Sequence, residues 1–82
     1  MDDTLVMFTT TWCGYCVRLK RFLDREGIGY REVNIEEDPE AAAFVMSVNG
    51  GNRTVPTLRF PGGAALTNPS PAEVLGELGR PA

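Results

Sequence analysis

The chain has no histidine, two cysteines, one lysine and one tryptophan in 82 residues. Without histidine there is no Cys-His nucleophile pair. With two cysteines and no histidine, one chain cannot assemble the four nitrogen or sulfur ligands of a structural zinc site. No apolar run is long enough to cross a bilayer, and Met1-Asp2-Asp3 lacks the basic and apolar regions of a signal peptide, so the expected location is the cytoplasm. Positive charge is not in excess either: the net charge is −3 and the pI about 4.8, whereas a nucleic-acid partner needs a basic face to neutralise phosphates. Repeats, low-complexity tracts and linkers are missing, and the length suits one domain over residues 1–82, near the lower size at which a core supports a fold. In a reducing compartment, a lone cysteine pair is more often redox-active or metal-binding than a structural bridge.

The residues present divide into short elements. Thr4 to Thr9 is a brief apolar run bounded by threonines, which suits a buried strand. From Gly14 to Glu26, Cys16, Leu19, Phe22 and Leu23 recur at helical steps, and Gly27 stops the helix. Arg18, Lys20, Arg21 and Arg25, mixed with Asp24 and Glu26, read as its solvated face, with local steering of a substrate as the alternative. Tyr30 to Ile35 predicts a second strand. Asp38-Pro39 starts a helix with an N-cap and a proline whose missing amide hydrogen would be orphaned there anyway; it runs to Asn49-Gly50-Gly51. Thr57–Phe60 and Ala64–Thr67 around Pro61-Gly62-Gly63 predict a hairpin, and Ser70-Pro71-Ala72-Glu73 is a capping box opening a last helix. The order β-α-β-α-β-β-α, with a right-handed first crossover, predicts an α/β fold: a four-stranded mixed sheet with helices on both faces.

Cys13-Gly14-Tyr15-Cys16 lies at the first strand-to-helix junction. A pair three apart can close a disulfide across one helical turn, and the free amides and partial positive charge at the helix start stabilise a thiolate at Cys13, the attacking species. Cys16, on the apolar stripe, is expected to be more buried and less ionised. Gly14 permits close backbone approach beside the sulfur. Trp12 reads equally as a packing residue or a substrate contact, and Tyr15 as an exposed aromatic between the sulfurs.

The spacing from Cys13-Gly14-Tyr15-Cys16 to Asn52-Arg53-Thr54-Val55-Pro56, and the Gly62-Gly63 hairpin before a short last helix, resemble a glutaredoxin of the thioredoxin superfamily over nearly the whole chain. The resemblance implies a thiol-disulfide oxidoreductase of thioredoxin-like fold. It also implies a cis Pro56 packed beside the cysteines and a Val55 backbone that pairs with the cysteine-like part of a small thiol, with Thr54 in the same element. Trp12-Cys13-Gly14 resembles thioredoxin instead, but Tyr15 stands where that motif has proline. Two departures concern the family's usual anchors for glutathione carboxylates. Thr10 replaces a lysine before the first cysteine, and Thr67-Asn68-Pro69-Ser70 replaces a Gly-Gly-Cys-Asp-Asp type loop.

Losing both anchors points to a thiol without those carboxylates, and mycothiol, the sugar-based thiol of actinobacteria, fits; Thr67, Asn68 and Ser70 become candidate contacts to it. Seven arginines against one lysine agree with a GC-rich source. The nearest group is the mycoredoxins, the glutaredoxin-like, mycothiol-dependent reductases. The expected activity is reduction of protein-mycothiol mixed disulfides by Cys13, in a monomer with no bound cofactor and no metal. Mycothiol serves as co-substrate, and its disulfide is returned by an NADPH-dependent mycothiol disulfide reductase. Two alternatives stand beside it. One is a dithiol hydrogen donor for ribonucleotide reductase, reduced by thioredoxin reductase through a Cys13-Cys16 disulfide. The other is an iron-sulfur carrier in which Cys13 of two chains and two small thiols hold a cluster.

Overall fold

The computed structural model describes residues 4–79; Met1–Asp3, on which the signal-peptide reading rests, lie outside them. The elements follow the expected order: β1 (Leu5–Thr9), α1 (Gly14–Arg25), β2 (Tyr30–Asn34), α2 (Pro39–Val48), β3 (Thr57–Arg59), β4 (Ala65–Thr67) and α3 (Pro71–Glu77). They build one sheet in the order β2-β1-β3-β4. β1 runs parallel to β2 and antiparallel to β3, and β3 runs antiparallel to β4.

All five residues of β1 are buried, which explains why its sequence is an apolar run without alternation: both faces are covered. Leu5 and Met7 join Leu19, Leu23, Leu58, Val74 and Leu75 under α1 and α3. Val6 and Phe8 face the other way and meet Ala41, Ala42 and Val45 of α2. The expected helices on both faces are thus present. β2 forms one edge of the sheet and is only half-covered, which accounts for its imperfect alternation. It ends at Asn34, one residue earlier than expected, although the Ile35 amide still bonds to the Thr9 carbonyl at 3.0 Å.

Local chemistry sets the boundaries. Gly27, at φ +68°, turns the chain out of α1 in a conformation that penalises any side chain. Asp38 accepts the Ala41 amide at 3.1 Å ahead of Pro39. At the start of α3 both halves of the capping box are formed, with Glu73 N–H to Ser70 Oγ at 3.2 Å and Ser70 N–H to Glu73 Oε1 at 2.9 Å. The hairpin strands are each one residue shorter than expected. Phe60 and Ala64 close the turn through a 2.7 Å amide-to-carbonyl bond instead of joining the ladder.

Candidate active site

Thr10, Thr11 and Trp12 carry the chain from the end of β1 to Cys13, which takes the N-cap position of α1 with extended backbone angles (φ −90°, ψ 108°). Its Sγ accepts the Cys16 backbone amide at 3.1 Å, so sulfur occupies the place where a serine or aspartate oxygen usually caps a helix. That sulfur therefore sits at the positive end of the helix, on one of its free amides. Both cysteines are free thiols. Cys13 retains 8% exposure and Cys16 only 1%. Burial, followed by the hydrogen bond to Cys13, pushes the Cys16 thiol up to about 12, while a Thr10 backbone hydrogen bond and the Lys20 charge pull the other way. Cys16 is the sulfur that burial holds protonated.

Two concavities flank this end of α1. A cleft of about 460 Å³ is lined by Cys13, Cys16, Val17 and Lys20 of the α1 segment, Thr9–Thr11, and Glu32, Asn34 and Glu37. Lys20 Nζ bridges to Glu32 Oε2 at 3.1 Å, and the same oxygen accepts the Thr9 hydroxyl at 2.9 Å. A second groove of about 240 Å³, more apolar in its lining, runs between Tyr15, Arg18, Leu19 and Phe22 of α1 and Asn68, Pro69 and Pro71 ahead of α3. The Arg18 guanidinium sits 5.8 Å from the centre of the exposed Tyr15 ring, within cation-π range. Trp12 is 75% exposed, which rejects the packing alternative for it; its Nε1 donates to Glu36 Oε2 at 3.4 Å. A Cβ on Gly14 would meet no protein atom within 4 Å, so packing does not require glycine there.

The Val55–Pro56 bond is cis, as the family resemblance implies. Pro56 is fully buried, and half-buried Val55 packs against both core clusters, including the one that contains Cys13 and Cys16. The Pro56 carbonyl accepts the Asn68 amide at 2.7 Å, which ties the segment before α3 to the Thr54–Pro56 segment. Asn68 itself adopts φ +45°, a left-handed conformation that asparagine tolerates better than most residues. The structure therefore joins Pro56 to Asn68 and places Asn68 in one groove with Tyr15.

Thr67 and Ser70 are differently employed. The Thr67 hydroxyl donates to Asn49 Oδ1, and Ser70 Oγ accepts the capping bond of α3. Asn49, which the sequence marks only as the end of a helix, is the centre of a polar network. Its Nδ2 reaches the Val45 carbonyl at 2.9 Å and Thr57 Oγ1 at 3.3 Å, and the Thr57 hydroxyl donates to the Thr54 carbonyl at 2.9 Å. Thr57 is fully buried, so these bonds replace the water its hydroxyl has lost. Three segments, the end of α2, Thr54–Thr57 and β4, are held together this way, and no local pattern announces it.

Comparison with known proteins agrees with this geometry. The glutaredoxin family profile matches residues 5–63. A glutaredoxin-type protein of Mycobacterium tuberculosis is 58% identical over 74 residues, covering 90% of this chain and 88% of its own. Mycoredoxin 1 of Corynebacterium glutamicum is 42% identical over 76 residues, covering 93% and 94%. Among solved structures, a thioredoxin-like protein superposes with a TM-score of 0.81 at 18% identity, covering 99% of this chain and 100% of that one. A buckwheat glutaredoxin in complex with glutathione superposes with a TM-score of 0.65 at 28% identity, covering 90% and 66%.

Proposed function

Because the chain belongs to the glutaredoxin family and is a thiol-disulfide oxidoreductase of thioredoxin-like fold, we propose that it reduces protein-mycothiol mixed disulfides with Cys13 as the nucleophile. The observation that carries the assignment of Cys13 is its Sγ at the N-cap of α1, 3.1 Å from the Cys16 amide. In the proposed cycle the Cys13 thiolate attacks the mycothiol sulfur. A Cys13-mycothiol disulfide forms, and the protein thiolate leaves with the electron pair of the broken bond. A second mycothiol then attacks the mycothiol sulfur on Cys13, releasing mycothiol disulfide and regenerating Cys13. An NADPH-dependent mycothiol disulfide reductase returns the product to two thiols. The protein works as a cytoplasmic monomer in this reading, with the small thiol as co-substrate.

Similarity to mycoredoxin 1 supports mycothiol as that thiol. The charge around the sulfurs supports it as well. Among the described residues lining the cleft, Lys20 is the only cation and Glu32 already pairs with it, while Glu37 adds negative charge. A thiol bearing free carboxylates finds repulsion there, and a neutral, hydroxyl-rich one does not. The Thr54–Pro56 segment, whose Val55 packs against the cluster that holds both cysteines, is the proposed docking element, and Tyr15 and Trp12 supply exposed aromatic surface near Cys13.

The test is to follow reduction of one mycothiolated protein with three electron sources: mycothiol with its reductase, glutathione with its reductase, and thioredoxin reductase alone. Turnover is expected with the first. Turnover with thioredoxin reductase alone would replace the proposal by the dithiol-donor reading.

A further inference from the structure

Cys16 is buried beside a cleft that also holds an ion pair, and the cycle above gives that pair nothing to do. Glu32 lies opposite Met7 in the parallel ladder, so it projects from the sheet face that α1 covers. Lys20 stands one helical turn beyond Cys16 on that helix, and its ammonium closes on Glu32 at 3.1 and 3.4 Å. The two side chains are 32% and 39% exposed, so their fields are only partly screened by water. The charged or titratable groups lining this cleft are Cys13, Cys16 and Lys20 on α1, Glu32 on β2, and Glu37 beyond it; β1 contributes only the hydroxyl of Thr9.

We propose that the Lys20–Glu32 pair regulates closure of the Cys13–Cys16 disulfide by setting the electrostatic potential at the Cys16 sulfur. This rests on the reading of Cys13 as the attacking residue. Once Cys13 carries a mixed disulfide it holds no charge, and its own opposition to Cys16 ionisation disappears. Burial then remains as the obstacle, countered by the Thr10 backbone hydrogen bond and by the Lys20 charge, the one of the two that a side chain supplies. The Cys16 proton passes to water, and the Cys16 thiolate attacks Cys13 Sγ. The new Sγ–Sγ bond forms as the bond from Cys13 to the outer sulfur breaks, and the outer thiolate leaves with the electron pair. The two cysteines are oxidised and the outer thiol is reduced. Glu32 works against this step by neutralising Lys20, so the pair holds the protein in the monothiol cycle while leaving the dithiol route open. Lys20 and Glu32 are positioning residues here, since neither is placed against the reacting atoms.

The opposed signs give the experiment. Cys13 is loaded with thionitrobenzoate, the site of loading is verified by mass spectrometry of the peptides, and release of the coloured thiolate is followed against pH in a single turnover. The Cys16→Ser protein serves as the baseline without release. Lys20→Gln is expected to slow release at neutral pH roughly three- to tenfold and to move the profile to higher pH. Glu32→Gln is expected to speed it by a comparable factor and to move the profile lower, and Lys20→Arg restores the wild-type profile. A pair that merely ties α1 to β2 would make both neutral variants change in the same direction, and that outcome, or no change in either, overturns the proposal. The partly exposed pair contributes little to folding, so the variants remain folded. Loading of Cys16 instead of Cys13 in the wild type would remove the reading of Cys13 beneath the proposal, and is recognised before any variant is made.

Discussion

Two sulfurs three residues apart are in opposite chemical situations because a helix turns between them. Cys13 caps the helix and accepts its free amide, whereas Cys16 lies one turn in, on the stripe that faces Leu19 and Leu23. Replacing Cys13 by serine is therefore expected to abolish turnover of mixed disulfides. Replacing Cys16 by serine keeps most of it, and equal losses in a coupled NADPH assay would reject the monothiol cycle. The same asymmetry governs alkylation. At neutral pH iodoacetamide is expected to label Cys13 and spare Cys16, whose thiol is buried and held up to about 12. A raised thiol value favours the folded state below the ordinary cysteine range. That contribution is lost as pH climbs toward 12, so Cys16 labelling is expected to rise only in alkali or on unfolding, as peptide mass spectrometry will register.

At the scale of elements, short helices depend on their ends. α3 has seven residues, too few to persist on propensity alone. Ser70→Ala removes one arm of its capping box and is expected to cost about 1 kcal/mol, read as a lower urea midpoint with an unchanged slope. Acid weakens the same box. The Ser70 amide, followed by its hydroxyl, holds the Glu73 carboxyl below the usual range, so its contribution is complete above that range and is lost as pH falls through the lowered value. Asn49 performs a comparable task between elements. Asn49→Ala takes the acceptor from the half-buried Thr67 hydroxyl and one of two partners from the buried Thr57 hydroxyl, and is expected to cost on the order of 1 to 3 kcal/mol. Faster amide hydrogen exchange at Asn68, whose bond to Pro56 the network supports, provides the local check.

For the whole molecule, β1 and β3 carry central side chains around which the helices pack, and Met7 of β1, Leu58 of β3 and Val45 of α2 are completely buried. Net stability for a chain of this length is on the order of 4 to 12 kcal/mol. Leu58→Ala, which opens a cavity between the sheet and the helices above it, is expected to cost roughly 2 to 5 kcal/mol, a large share of that margin. Thermal unfolding followed by circular dichroism will measure it, with Trp12→Ala as the exposed reference expected to stay within about 0.5 kcal/mol. Among the described residues no helix is long and apolar enough to cross a membrane.

The features legible in the sequence were those whose physics is local. The period of Cys16, Leu19, Phe22 and Leu23, the caps at Asp38 and Ser70, and the glycine turn of the hairpin each depend on neighbours within a few residues, so they read correctly without a fold. The capping place of Cys13 was legible for the same reason, since a strand followed within a few residues by a cysteine and a helix puts that sulfur on the helix's free amides wherever the rest of the chain goes. Tertiary structure alone decided the contacts between segments far apart in the chain. It sent Trp12 into solvent, gave the Thr67 hydroxyl to Asn49, joined Asn68 to Pro56, and set Lys20 against Glu32 beside Cys16. Such contacts arise from the register of β1 on β2 and the placing of helices over the sheet, and their partners stand too far apart in sequence for any local pattern to mark them.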